Sequence, residues 1–560
     1  ASREMHARAR AALALWSELG LSKYNAFDPD LPLPEPGYVL VIDQTRDDAS
    51  IRHGAAKAET FARMLDAARH ENPGARILIK THPETALGFR KGHYEKSDED
   101  TRVSLFADPV SPQELIRGAS AVYCATSLMG FEAILAQKRP RVFGRPFYGG
   151  WGLSDDEQTF KRRTRTLSRE ALFAGAMLIY PVWYDPCRDR LCDFETAAIS
   201  LAARARAWQQ DSPGYAALGM RLWKRRPLRL FFRGAGARLS FHNDPARAAA
   251  SGRRGLVWAG QESDAVKREF SRTGCPLLRL EDGFLRSRGL GAELVPALSL
   301  VVDDLGIYYD PNRESRLERM LNASDDLSDA ALARARRLCQ HITESGLSKY
   351  NIGAGSPLDW PRGRRKILVP GQVEDDQSIL KGAGDIRRNL DLLACARREN
   401  PDAFIAYKPH PDVEAGLRKG AIAGTEALFH ADVILAGVDP IQAIIAADEV
   451  WTISSLAGFE ALLRARSVTC LGTPFYAGWG LTRDLGASVA RRKARVSLDA
   501  LVYCTLIQYP RYLDPVSGLA CPVEVVAERL VSGDGLARGP ANRVLSKCQG
   551  MLASFAPLWR

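Results

Sequence analysis

Apolar and polar positions alternate along this chain in two registers. Short runs such as Lys366-Ile-Leu-Val369, Phe404-Ile-Ala-Tyr407 and Val450-Trp-Thr-Ile453 are apolar almost throughout, the pattern of a strand covered on both faces. Between them lie stretches with apolar residues at helical spacing, such as 386–398 and 458–465. Strands alternating with helices of about 10–15 residues predict parallel sheets sandwiched by helices, an α/β fold. The same alternation runs through Gly255-Leu-Val-Trp258, a helix from Ser263, Pro276-Leu-Leu-Arg-Leu280 and Leu298 to Val302. No apolar run reaches the roughly 18 residues needed to cross a bilayer, because a charged residue interrupts each candidate.

The pattern also repeats at long range. Val39-Leu-Val-Ile-Asp-Gln44, with Asp47, Asp48 and Ser50 after it, returns as Ile367-Leu-Val-Pro-Gly-Gln372 with Asp375, Asp376 and Ser378. Lys80-Thr-His82-Pro83 returns as Lys408-Pro-His410-Pro411, and Ser127-Leu-Met-Gly130-Phe-Glu132 as Ser455-Leu-Ala-Gly458-Phe-Glu460. Pro146-Phe-Tyr-Gly-Gly-Trp-Gly152 returns as Pro474-Phe-Tyr-Ala-Gly-Trp-Gly480, and every pair lies 328 residues apart. A period this long means two copies of a whole unit, not a solenoid. Gly20-Leu-Ser-Lys-Tyr-Asn25 and Gly346-Leu-Ser-Lys-Tyr-Asn351 extend the match upstream. There the first copy stops, whereas the second continues back through Ser251. The predicted division is therefore residues 1–210 as a first unit lacking its front half, 211–250 as a basic linker, 251–350 as the front half of the second unit and 351–560 as its second half. Each full unit reads as two Rossmann-like, doubly wound domains facing a cleft. The first unit, truncated at its N-terminus, is expected to be inactive unless the natural chain supplies the missing part.

Composition adds limits. With 560 residues, 46% hydrophobic and 26% charged, the chain is neither disordered nor collagen-like. Its ten cysteines include no C-x-x-C pair, which favours scattered reduced thiols over a disulfide scaffold or a zinc site. The formal charge of +11 suits a phosphate-bearing partner: a nucleotide, a nucleic acid or an anionic membrane surface. The densest basic stretch, Arg221 to Arg233, interleaves cations with Leu, Trp and Phe; it reads either as an interfacial membrane segment or as a solvated linker. No nucleic-acid-binding module is recognisable, so nucleic acid is not an expected partner. The opening Ala1-Ser-Arg-Glu4 carries no basic-then-apolar export signal, which suggests a cytoplasmic chain or part of a longer one.

The repeated motifs carry the chemistry. Lys408 and His410 follow a strand, the place where ligands bind in an open α/β sheet; they read as phosphate donors or, with Pro411, as a structural turn. Ser454 and Ser455 lie where a strand turns into a helix, so hydroxyls and backbone N–H groups there can cradle a phosphate, or serve simply as an N-cap. Glu460, about one turn further, could accept from ribose hydroxyls. Together these describe a nucleotide site without a Walker loop or G-x-G-x-x-G. Asp376, matched by Asp48, can act as nucleophile or base, or as an Asx-turn acceptor, and the sequence permits Asp375 equally. Glu281 and Asp282 end a strand of the opposite half, which places a second acidic pair across the cleft. Two carboxylates flanking an anomeric centre suit glycosyl transfer with retention. The Pro-Phe-Tyr-x-Gly-Trp-Gly segments read equally as sugar-stacking platforms or as buried closing loops. No metal-ligand cluster is visible.

Taken together, these motifs resemble the capsule-assembly β-Kdo glycosyltransferases of Gram-negative bacteria, the KpsC family, whose members carry two Kdo-transferase modules in tandem. The resemblance covers nearly the whole chain; bacterial sialyltransferases look like more distant relatives. It implies a glycosyltransferase with CMP-β-Kdo as donor substrate, no other cofactor, and retention through a covalent Kdosyl-enzyme. The acceptor implied is a Kdo-bearing phospholipid on which a poly-Kdo capsule linker is built. By resemblance Asp376 is the nucleophile, with Asp48 its first-unit counterpart, and Glu281, or less readily Asp282, is the acid/base. Lys408, His410, Ser454 and Ser455 would bind the CMP phosphate and Glu460 would lie near the ribose, with Lys80, His82, Ser127 and Glu132 as first-unit counterparts. The implied location is cytoplasmic, peripheral to the inner membrane, beside capsule biosynthesis and export proteins. Another CMP-sugar transferase or a non-catalytic scaffold of capsule export are the alternatives.

Overall fold

The computed structural model describes residues 2–288, 295–349, 351, 358, 360–414, 416 and 418–536. The chain divides into two compact units, residues 1–210 and 211–560.

The first unit is built on a sheet of six parallel strands in the order β3-β2-β1-β4-β5-β6. These are β1 (Val39–Ile42), β2 (Ile77–Lys80), β3 (Val103–Phe106), β4 (Ala121–Cys124), β5 (Arg141–Val142) and β6 (Asp155–Asp156). All four residues of β1 and of β2 are buried, as expected where helices cover both faces, and a separate hydrophobic cluster lies on each side. A two-stranded hairpin, β7 (Trp183–Asp185) and β8 (Arg190–Cys192), forms its own small sheet.

The second unit has two sheets. The front sheet runs β10-β9-β11-β12-β13-β20-β21. Its strands are β9 (Tyr215–Leu218), β10 (Leu239–His242), β11 (Arg254–Trp258), β12 (Leu277–Asp282), β13 (Ser299–Asp303), β20 (Arg511–Leu513) and β21 (Ala520–Cys521). The second sheet runs β16-β15-β14-β17-β18-β19, all parallel, and repeats the strand order of the first unit. It comprises β14 (Lys366–Pro370), β15 (Phe404–Lys408), β16 (Val433–Ile434), β17 (Glu449–Thr452), β18 (Ser467–Cys470) and β19 (Arg483–Asp484).

Three expectations from the sequence need correction. Residues 211–250 are not a linker: β9 and β10 pair in parallel inside the front sheet, and most of the stretch from Arg221 to Arg233 is the helix Leu222–Phe231. Leu228 and Phe231, three residues apart, bury one face of that helix while Arg226 and Arg229 stay exposed, so its charge masked an amphipathic element. The front sheet is also not wholly parallel, because β13, β20 and β21 run antiparallel to their neighbours. Finally, residues 351–560 do not form one half. Residues 511–521 return to the front sheet, where Tyr512 pairs with Ser299 and Arg511 with Leu300. A buried bidentate pair from Arg511 to Asp211, at 2.6 and 3.0 Å, anchors the returning strand. Residues 537–560 lie outside the described ones.

The two units diverge most where that strand returns. In the second unit Tyr509 and Arg511 are each 5% exposed, and Tyr509 donates to Asp303 at 2.8 Å. Their first-unit counterparts, Tyr180 and Val182, are 90% and 77% exposed. Among the described residues of 1–210 no strands correspond to β9–β13.

Candidate functional site

In the second sheet the strand order reverses direction between β14 and β17, and ligands of such sheets bind beyond the strand ends at that point. Gln372 follows β14, and Ser454 and Ser455 follow β17. The Gln372 carboxamide stitches the two loops together. Its oxygen accepts from Ile453 N and Ser454 N, both at 3.1 Å, and its nitrogen donates to Ser454 Oγ at 3.3 Å. Gln44 does the same in the first unit, accepting from Thr126 N at 2.9 Å and donating to Thr126 Oγ1 at 3.0 Å. The recurring glutamine thus shapes the turn without needing to touch a ligand.

Ser455 caps the helix Leu456–Leu463, accepting from Ala457 N at 3.1 Å, and Ser127 caps its counterpart. Ser454 is more committed, since its hydroxyl donates to Ser378 O at 3.0 Å. Tyr476 of the aromatic segment donates to Ser455 O, and a Cβ at Gly458 would meet the Tyr476 hydroxyl at 2.3 Å. Glycine at 458 is therefore required by close packing under this turn.

His410 Nδ1 accepts from Asp412 N at 3.1 Å, and His82 Nδ1 accepts from Glu84 N at 3.2 Å. A ring whose Nδ1 is an acceptor carries its proton on Nε2. Burial lowers the pKa of both imidazoles, so each offers a neutral Nε2–H donor. The neighbouring lysines behave differently from expectation. Lys408 is buried and donates to Glu414 Oε2 at 2.6 Å and to Pro409 O at 3.0 Å. Lys80 donates to Asp108 O at 2.8 Å, and burial pushes its pKa down to about 8. Both ammonium groups thus already bond to the protein itself, Lys408 with two of its three N–H donors and Lys80 with one, beside the histidine and the helix start.

Glu460 accepts from Lys349 N at 3.0 Å, and Glu132 from Lys23 N at 3.0 Å and Ser22 Oγ at 2.8 Å. Burial raises the pKa of both, Glu132 to about 7. Each therefore holds the Gly-Leu-Ser-Lys segment of its own unit. That segment's recurrence in the sequence was the signal for this contact.

Across the cleft of the second unit, β12 ends in Glu281 and Asp282. Arg286 pairs with Asp282 at 2.6 Å, and Asp282 N donates to Glu281 Oε1 at 3.1 Å. Burial, followed by repulsion from Asp282, pushes Glu281 up to about 7. The two carboxyls thus differ: one is locked into an ion pair, and the other is poised to exchange a proton near neutral pH. Facing them, Asp376 caps the helix Gln377–Gly382, its Oδ1 accepting from Ser378 N at 3.0 Å and Ser378 Oγ at 2.8 Å. Asp375 points elsewhere, to Arg418 at 3.0 Å. Tyr309 lies near both opposing acids. Burial raises its phenol, and Glu281 and Asp376 are the next causes; its hydroxyl is buried without a hydrogen-bond partner among the described residues.

An aromatic cluster closes this space. Phe475 packs on Phe284 at 4.9 Å, Phe459 at 5.4 Å and Tyr308 at 5.7 Å between ring centroids. In the second unit the Pro-Phe-Tyr-x-Gly-Trp-Gly segment is accordingly buried packing, whereas Phe147 of the first unit is 46% exposed. The first unit brings together Asp48, His82 and Ser127 at the ends of its sheet, but its described residues hold no counterpart of Glu281 and Asp282. Asp48 caps a short helix as Asp376 does, accepting from Ser50 N at 2.8 Å.

The family described as "Capsule polysaccharide biosynthesis protein" matches residues 18–183 and 256–512. The capsule polysaccharide modification protein LipA of Neisseria meningitidis serogroup B is 40% identical over 99% of this chain and 81% of its own length. The lipopolysaccharide-processing protein LpsZ of Rhizobium meliloti is 43% identical over 48% of this chain and 62% of its own. Among solved structures, the KpsC beta Kdo 2,4 transferase of Thermosulfurimonas dismutans aligns at a TM-score of 0.50 and 33% identity, covering 57% of this chain and 98% of that one.

Proposed function

The chain belongs to the capsule polysaccharide biosynthesis family, and from that premise we propose that it is a KpsC-like glycosyltransferase that moves β-Kdo from CMP-Kdo onto a Kdo-bearing glycolipid with retention. The observation that supports this reading is that, in the second unit, Asp376 and Glu281, from opposite halves, both lie close enough to Tyr309 for their charges to act on its buried phenol, with Glu281 itself pushed up to about 7 by burial. His410 Nε2–H, the Ser455 hydroxyl and the N–H groups at the start of helix Leu456–Leu463 would receive the phosphate of CMP. Asp376, whose Oδ2 takes no hydrogen bond among the described residues, attacks the anomeric carbon as CMP leaves with the bonding electrons. This forms a Kdosyl ester with inversion. Negative charge that grows on the departing phosphate is met by donors already in place. Ionised Glu281 then takes the proton of the acceptor hydroxyl, whose oxygen displaces Asp376 with a second inversion.

No step requires a metal. The transfer proposed here is placed in the second unit, where the acidic pair Glu281 and Asp282 lies. No helix among the described residues is long and apolar enough to cross a membrane; a peripheral position at the inner membrane, where the acceptor lies, belongs to this proposal. The test is mass spectrometry of a Kdo-terminated lipid mimic after incubation with CMP-Kdo. One Kdo added by the wild type and none by Asp376→Ala, with CMP affinity retained, is the expected result. Transfer by Asp376→Ala at the wild-type rate refutes the covalent mechanism.

A further inference from the structure

Lys224 stands out in the front half of the second unit. It lies in the first turn of the helix Leu222–Phe231, within the basic stretch that reads in the sequence as an interfacial membrane segment or a solvated linker. Its ammonium sits 3.2 Å from the centroid of the Trp258 ring. Trp258 ends β11, one residue pair from Glu281 on β12, since Trp258 is in register with Leu280. Lys224 therefore lies over the carboxyl ends of the parallel strands, beside the acidic pair.

The group is half-buried, and its ammonium makes no hydrogen bond or ion pair among the described residues. Burial lowers its pKa, and Asp282 and Glu281 then raise it again without touching it. A desolvated cation held over an aromatic face, near but not on two carboxylates, is an arrangement that favours an incoming anion. Two other cations around the site are already engaged. Arg286 is paired with Asp282 at 2.6 Å, and Lys408 with Glu414 at 2.6 Å.

We propose that Lys224 binds the carboxylate of the donor sugar. This rests on the transferase reading above. In a 2-keto acid sugar the carboxylate is bonded directly to the anomeric carbon, and that carbon must sit between Asp376 and Glu281. The donor's own negative charge is thus forced next to Glu281 and Asp282, where like charges repel it. A cation at that spot offsets the repulsion, and Lys224 is placed there. A sugar nucleotide whose anomeric carbon carries hydrogen instead of a carboxylate would leave Lys224 uncompensated, so the same residue selects for 2-keto acid donors.

Steady-state rates with CMP-Kdo, together with inhibition by CMP, test this on Lys224→Gln and Lys224→Arg of the full chain. Lys224→Gln is expected to raise KM for CMP-Kdo by at least about tenfold, the usual size of one lost charged contact, while the inhibition constant of CMP stays within about twofold. Lys224→Arg is expected to recover most of the KM, with thermal melts of both variants matching the wild type. An equal loss of CMP affinity in Lys224→Gln, or an unchanged KM, overturns the assignment. A wild-type chain that neither binds CMP nor turns over CMP-Kdo overturns the transferase reading itself, and this inference with it.

Discussion

The pH dependence of transfer follows from Glu281. Its carboxyl is buried at the end of β12, and burial is the larger cause of its rise to about 7, ahead of the charge on Asp282. As general base it works only when ionised, so the rate rises with pH through the folded pKa. For an apparent pKa of about 7, roughly a tenth of the enzyme is competent at pH 6 and about nine tenths at pH 8. The value of kcat/KM for the acceptor should therefore climb about tenfold between those values and then level. Glu281→Gln should lower the rate by about 10²–10⁴-fold and remove the step. Asp282→Asn takes away the adjacent negative charge and frees Arg286, both of which favour ionised Glu281. The step should then move to lower pH, while staying above the ordinary carboxylate range because burial persists. Initial rates by mass spectrometry across pH 5–9 read all three enzymes. A step near neutrality that survives in Glu281→Gln, or a rate that falls as pH rises through 7, refutes the role assigned to Glu281.

Two further predictions concern the framework. Arg511→Met leaves the buried Asp211 without its bidentate partner, which should cost the second unit about 3–5 kcal/mol, read as an earlier urea transition; adding Asp211→Asn should recover part of the loss. Gly458→Ala drives a Cβ into the Tyr476 hydroxyl, which should cost about 1–3 kcal/mol and weaken CMP affinity by titration calorimetry, because Tyr476 holds the Ser455 turn through its carbonyl.

Much of the site is legible in the order of residues. Asp376, His410 and Ser455 have counterparts in the first unit at a constant spacing, and each lies where its strand ends. The helix cap formed by Asp376 and its candidacy as nucleophile are compatible, because the cap uses only Oδ1. The ion pair of Lys408 is not legible in the same way: a lysine after a strand looks the same in sequence with or without a carboxylate partner six residues on, and here Glu414 is that partner. Glu460 reads as a ribose acceptor, yet its contact within the chain is Lys349 N, from a segment more than a hundred residues away.

The duplication, the parallel α/β sheets and the motifs at their strand ends follow from the linear pattern alone, because periodicity and repetition are visible in the order of positions. Folding was needed to reveal that residues 211–250 build two strands of the front sheet, and that residues 511–521 return to finish it. Folding also separates Glu281 from Asp282 and Asp375 from Asp376. Several of those outcomes depend on partners brought from elsewhere in the chain, such as Arg511 with Asp211 or Arg418 with Asp375. Burial and pairing are set by the neighbours that folding assembles, and a linear pattern does not carry them.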